Sequence, residues 1–317
     1  MPSSSVPVTV PVVPPPALRR YAWGVLVYFI AVILWGGLVR STGSGSGCGN
    51  HWPLCNGVVL QHSPSVETMI EFTHRATSGL SFFLVVALLA FVVATTARGH
   101  LARMAAAAAV VFTVIEAALG ALLVKLGLTA QSTSPLRPWY LALHLANTLL
   151  LLASLALAAH LLSRSTGFLR SQIRLRAPAG ALACVCALLV VGVTGSLAAL
   201  GDTLFPANSL STALAQDLSL SGSSLIGWRW THPLLAFLAG LLLIWTVLRA
   251  MRKRSHWDNR ALAAAILFLL AAQFVLGLLD VILLAPVWLQ IVHLLGADLL
   301  WVALVVLAAR FTLEPAA

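Results

Sequence analysis

Four histidines, His74, His144, His232 and His293, each lie a few residues inside a long apolar segment of a 317-residue chain. An imidazole in hydrocarbon is costly unless its nitrogens are bonded, so intramembrane histidines face a bundle interior and a partner. His74 and His144 belong to the second and fourth apolar segments, His232 and His293 to the sixth and eighth. Alternate segments cross a bilayer in the same direction, which sets all four imidazoles at a similar depth near one face. Facing imidazoles on neighbouring helices suit axial ligation of a haem iron, whose flat apolar ring fits between the helices of a bundle. Zinc fits less well, because no cysteine or carboxylate cluster completes a tetrahedral set around the later pair.

The elements that must carry these side chains follow from composition. Hydrophobic residues make up 60% of the chain and charged residues 9%, with a mean hydropathy of +0.97; a soluble domain carries about a quarter charged residues. Apolar runs long enough to cross roughly 30 Å of hydrocarbon as helices are predicted at 22–39, 69–95, 102–124, 139–162, 178–200, 230–250, 262–284 and 288–309. The fold class is therefore an all-α integral membrane protein with eight transmembrane helices. A net charge of +10 and a pI of 10.7 invite a nucleic-acid partner, but the basic residues obey a topological bias instead. Fourteen of the nineteen lie at one set of segment ends; Arg40, Lys125, Arg137 and Arg229 lie at the other, and Arg75 is inside a span. Both termini are expected in the cytoplasm and the histidines toward the outer face of the cell membrane, with the bilayer as partner and no nucleic acid. Propionates of a bound haem would point to that outer face, where Arg40, Arg75 and Arg229 are candidate counterions. Met1 to Pro16, rich in Pro, Ser and Val, lacks the basic start and compact apolar core of a signal peptide and reads as a disordered tail. His51, His62, His100, His160 and His256 lie in the outer loop or at cytoplasmic ends, where solvated histidines are ordinary. Cys184 and Cys186, two apart in the fifth span, read as packing residues on nearly opposite sides.

The second half echoes the first. Trp139-x4-His144 matches Trp288-x4-His293, and Thr73-His74 matches Thr231-His232. Glu116-x3-Gly120 matches Gln273-x3-Gly277, while the first and fifth spans end in Gly36-Gly37 and Gly192-x2-Gly195. Both halves start on the same side, which implies two four-helix bundles related by a pseudo-twofold axis along the membrane normal. The division is a cytoplasmic tail (1–20), a first bundle (21–163), a cytoplasmic linker (164–177), a second bundle (178–311) and a short tail (312–317). Each bundle carries one histidine pair, 74 with 144 and 232 with 293.

The halves differ in two places. Glu71 precedes His74 by three residues, which puts both on one helix face, whereas the second half is read with Trp228 at that place. A carboxylate beside a haem edge can move protons or stabilise developing positive charge; alternatively, Glu71 answers the helix dipole and pairs with Arg75 four residues on. The first outer loop also holds Cys48 and Cys55 around Gly-Asn-His-Trp-Pro-Leu, a stretch a disulfide can close either as a staple for a lid or as a redox-active pair. The corresponding second loop has no cysteine.

With these residues in view, the chain resembles the haem A synthase family, in its cysteine-containing bacterial branch. The resemblance is carried by Gly-Gly-Leu-Val-Arg-Ser-Thr-Gly-Ser-Gly (36–45), Cys-x3-Trp-Pro-Leu-Cys (48–55), Glu71-Phe-Thr-His74-Arg75, Leu-His144-Leu-Ala-Asn, Thr231-His232-Pro and Val-His293-Leu-Leu-Gly-Ala-Asp. It implies a haem b cofactor between His232 and His293 and substrate haem O between His74 and His144. Glu71 then matches the catalytic carboxylate of an oxidoreductase that turns one porphyrin methyl into a formyl group through an alcohol, making haem A for terminal oxidases. Haem O synthase, an electron-transfer partner and a second copy of the chain are the partners this implies. A different class of function, a non-enzymatic two-haem cytochrome carrying electrons from quinol to an outer partner, explains both histidine pairs but leaves Glu71 and the cysteine loop idle. A transporter explains only the repeat. Glu116, Asp280 and Asp298 are intramembrane acids for which the sequence offers no role.

Overall fold

A computed structural model describes residues 14–59, 62–130, 132–164, 173–175, 179–217, 224–253 and 257–315. Among the described residues the helices are α1 (Pro16–Ser41), α2 (Val66–Thr95), α3 (Leu101–Lys125), α4 (Arg137–Leu162), α5 (Ala179–Leu204), α6 (Leu210–Asp217), α7 (Ser224–Lys253), α8 (Trp257–Ile282) and α9 (Val287–Thr312). All but α6 contain a stretch long and apolar enough to cross a membrane, so the eight expected spans are present. Their starts have local causes. Pro16 occupies the first turn of α1, where its missing N–H costs nothing. Ser65 caps α2 by accepting the Thr68 N–H at 3.2 Å, and the His100 ring caps α3 by accepting the Ala102 N–H at 3.1 Å.

Three features depart from expectation. Residues 16–20 are helical, so the tail expected over 1–20 ends earlier; residues 1–13 lie outside the described residues. The linker and the C-terminal tail each contribute a short strand, β1 (Ile173–Leu175) and β2 (Leu313–Pro315), which pair antiparallel with Arg174 opposite Glu314. The second loop, for which no element is predicted, contains α6. A further correction concerns His100 and His160, read as solvated: they are 4% and 5% exposed. The imidazole of His100 is spent on the cap, and burial together with Arg103 holds it below the ordinary histidine range. His256 lies outside the described residues. Cys184 is buried and Cys186 exposed, as their spacing requires.

Packing follows chain order. In the first half α1 packs on α2 and α4, and α3 on α2 and α4; in the second, α5 packs on α7 and α9, and α8 on α7 and α9. Contacts of α1 with α9, α4 with α5 and α4 with α9 join the halves. One core lies among α1 to α4, with Leu26, Leu88, Leu152 and Leu155 fully buried; a second joins Cys184, Leu243, Ile266 and Leu304. Lipid is as apolar as leucine, so this association rests on close packing and interhelical hydrogen bonds rather than on hydrophobic burial.

The contact of α1 with α2 shows how register is set. Tyr21 donates to the Leu84 carbonyl, Tyr28 to that of Thr77 and Trp35 to that of Ile70, each at 2.9 Å. The donors step by seven along α1 while the acceptors step back by seven along α2, the repeat of two antiparallel helices in shallow supercoil. This ladder brings the Gly36 end of α1 beside His74.

Between the halves, Trp301 of α9 donates its indole N–H to the Leu149 carbonyl of α4 at 2.8 Å, with the ring 2% exposed. Trp301→Phe keeps most of the volume and removes the bond. It should lower the unfolding free energy of the detergent-solubilised protein by on the order of 1 kcal/mol, measured by denaturant titration; an unchanged midpoint would remove this contact from the interface.

Candidate functional site

The four histidines sit at equivalent places, and each faces a glycine of a neighbouring helix. A β-carbon at Gly36 would come within 3.0 Å of the His74 ring, and one at Gly195 within 2.9 Å of the His232 ring. The Cβ positions of Gly120 and Gly277 lie 3.8 and 3.4 Å from the rings of His144 and His293. At Gly36 and Gly195 any side chain would push the imidazole away, so these glycines are needed for space. The motifs around them in the sequence are therefore the walls of two histidine sites.

Within each half the imidazoles approach one another: His74 is within electrostatic reach of His144, and His293 of His232. The Nδ1 atoms of His74, His144 and His293 are buried without a hydrogen bond, while that of His232 lies 3.4 Å from the Thr194 hydroxyl. On a ring that binds metal through Nε2, Nδ1 faces away from the metal and calls for an acceptor of its own. Histidines at equivalent places in both halves and room cleared by glycine fit a planar metal macrocycle held from both sides. A cavity of about 310 Å³, lined by Trp245, Leu248, Arg249 and Arg252, lies at the opposite end of α7 from His232.

Glu71 is 3% exposed and both of its oxygens are used. One accepts the Cys48 backbone N–H at 2.8 Å; the other accepts Arg75, whose Nε lies at 3.1 Å. Arg75 continues to the carbonyls of His51 and Leu54, the latter at 2.7 Å. Cys48 and Cys55 are joined by a disulfide, with both residues buried. The loop also seats Gly47 on the first turn of α2, where a β-carbon would come within 2.5 Å of the Glu67 backbone. The ion pair of Glu71 with Arg75 thus anchors a disulfide-closed loop over the first histidine site.

The second site is closed differently. Three residues before His232 stands Arg229, so the position equivalent to Glu71 holds Arg229 and not Trp228 as expected. Its Nε lies 2.8 Å from Asp202 at the end of α5 and 3.4 Å from Asp217 of α6, and it also bonds Gln216 at 3.1 Å. Burial raises the Asp217 carboxyl above its ordinary range, and Arg229 counters that rise. Arg40 reaches across the halves, donating to the Ala199 carbonyl at 2.9 Å, Thr203 at 3.1 Å and Gln290 at 2.7 Å. All three candidate counterions, Arg40, Arg75 and Arg229, therefore hold protein partners here.

Glu116 was not assigned from sequence. Its carboxylate accepts from Asn147 and Thr148 and lies 3.4 Å from His144 Nδ1. The clue was available in the repeat, which opposes Glu116 to Gln273. Asp298 is buried with one oxygen unpartnered, as is one oxygen of Asp280.

If Arg75 is what seats the loop, Arg75→Ala should speed reduction of the Cys48–Cys55 disulfide by dithiothreitol several-fold, because access of the thiolate limits exchange. Thiol labelling over time reads this directly, and an unchanged rate would show that the loop is held by other contacts.

The model of the family described as cytochrome oxidase assembly protein matches residues 19–305. A protein of Thermus thermophilus named protoheme IX farnesyltransferase is 44% identical over 296 residues, 92% of this chain and 48% of its own length. Proteins named heme A synthase from Exiguobacterium sibiricum and Listeria welshimeri are 36% and 37% identical over 136 and 142 residues, each match covering 43% of both chains. The chain spans about half the length of the Thermus relatives it matches. On the strength of a family match running through all eight spans, this multi-pass membrane protein belongs to the cytochrome oxidase assembly protein family.

Proposed function

We propose that the chain is a haem A synthase, oxidising a ring methyl of haem O to a formyl group through an alcohol stage. The observation that carries this reading is the asymmetry between two otherwise matched sites. A buried carboxylate, Glu71, stands three residues before His74, while a cation, Arg229, stands three residues before His232. An electron carrier with two equivalent haems gains nothing from that difference, whereas oxidation of a bound substrate uses a carboxylate at one site only. The relatives named heme A synthase support it. The name protoheme IX farnesyltransferase belongs to a protein of which this chain covers 48%. Farnesyl transfer to protohaem is the chemistry that supplies haem O, so an enzyme of that kind is a partner in this reading.

In this reading His74 and His144 orient the substrate between α2 and α4, and His232 and His293 hold haem b between α7 and α9. The bound iron supplies the redox chemistry, which the protein positions and tunes. Glu71 is placed to take a proton from the edge of the substrate or to stabilise positive charge there. Arg75 fixes its carboxylate, and the disulfide-closed loop above it keeps water from the site. The loop contacts favour a staple role for Cys48 and Cys55. Arg40, Arg75 and Arg229 meet propionates only by exchanging their present partners.

The halves are related by a pseudo-twofold axis along the membrane normal. The contacts of α1 with α9 and of α4 with α5 are repeat equivalents, and α4 meets α9 where the axis would run. The bias of basic residues sets both termini in the cytoplasm of a plasma-membrane protein, with the histidines toward the outer face. An electron-transfer partner and self-association complete the expected assembly.

Two substitutions test the assignment. Glu71→Gln should keep bound haem and accumulate unconverted haem O, with haem A falling at least about 100-fold, the lower end for a lost acid–base group; normal haem A in extracts removes Glu71 from the reaction. His293→Ala should abolish the low-spin haem b spectrum, and an unaltered spectrum would refute that ligation.

A further inference from the structure

Resting on the assignment of His74 and His144 as axial ligands, we infer that Glu116 is a positioning residue that makes His144 a stronger donor to iron than His293. His144 and His293 are repeat equivalents, as are Glu116 and Gln273, yet only the first pair joins an imidazole to an anion. The Glu116 carboxylate stands 3.4 Å from His144 Nδ1. It is fixed there from behind by α4 itself: Asn147 donates to one oxygen, and the Thr148 hydroxyl, which also lies 2.9 Å from the His144 carbonyl, meets the other. Asn147 also donates to the Phe112 carbonyl at 2.8 Å, which ties the arrangement to α3.

The second half dismantles this arrangement residue by residue. Gly296 and Ala297 stand where Asn147 and Thr148 follow the histidine. The Gln273 amide lies over Gly296 instead, within 2.1 Å of where a β-carbon would stand, and its nitrogen is buried without a partner. Neither Nδ1 meets hydrogen-bond geometry, but among the described residues His293 has no carboxylate beside its Nδ1 as His144 has Glu116.

A carboxylate on Nδ1 fixes the tautomer that frees Nε2 for the metal and increases the basicity of the ring. A more basic imidazole favours the more oxidised iron. The first site is thereby biased toward ferric iron relative to the second, so the site that handles substrate and the site that passes electrons are set apart by one carboxylate in α3. Electrons then tend to reside at the second site.

The test uses full-length protein purified in detergent and loaded with iron protoporphyrin IX, with the first-site haem read in a His293→Ala background by redox titration. Glu116→Gln should shift the ferrous-to-ferric ratio at a fixed ambient potential toward ferrous by on the order of tenfold, while Glu116→Asp, which keeps the charge, should recover part of the shift. An unchanged midpoint in Glu116→Gln with the bis-imidazole spectrum intact overturns the inference. If Glu116→Gln does not fold, Thr148→Val, which removes one donor to the carboxylate, must move the midpoint the same way, and no movement overturns it equally. His144→Ala separates this from the underlying assignment: a spectrum indifferent to that change refutes the ligand itself, whatever Glu116 does.

Discussion

Polar side chains inside hydrocarbon dominate the architecture, because each must be matched within the bundle or left at a cost no lipid can relieve. Four imidazoles are among these groups. The protein meets the demand by clearing space with glycine on the adjoining helix. Helix register, the placement of the glycines and the closure of the outer loops all serve that arrangement. Cores of leucine, valine and alanine between the helices are permissive by comparison, since many apolar sets pack alike.

The internal repeat of the sequence accounts for two such histidine pairs, and the residues at which its halves differ set them apart. Both outer loops are pinned by an arginine near the start of a histidine-bearing helix. In the first half Arg75 gathers Glu71 and the carbonyls of His51 and Leu54. In the second, Arg229 gathers Asp202, Asp217 and Gln216. The same mechanical task is thus solved with the carboxylate beneath the loop in one case and around the loop in the other. Only the first solution leaves an acid next to the histidine.

The sequence was most legible where a single residue type is costly in its setting. Histidine in hydrocarbon, a carboxylate three residues from it and a pair of cysteines in a short loop all declared themselves, and the spans were bounded to within a few residues. Less legible were matters of three-dimensional pairing. That Arg40 ties α1 to α5 and α9 depends on a contact 250 residues away along the chain, which no local pattern encodes. Trp228 is the residue expected opposite Glu71, yet three residues back from His232, as Glu71 is from His74, stands Arg229. His100 and His160 looked ordinary because burial at a helix end depends on neighbours rather than on position. The strands β1 and β2 are three residues each, too short for any alternation to show.

The ladder of Tyr21, Tyr28 and Trp35 on the carbonyls of α2 constrains how the first half can move. Its three rungs are equally spaced, so sliding α1 along α2 by half a turn would strand every donor at once, whereas rolling or splaying the helices can release them one by one. The pair therefore behaves as a hinge rather than a piston. Any opening that admits a large flat molecule beside His74 would swing the helix ends apart while the imidazole keeps its height in the bilayer.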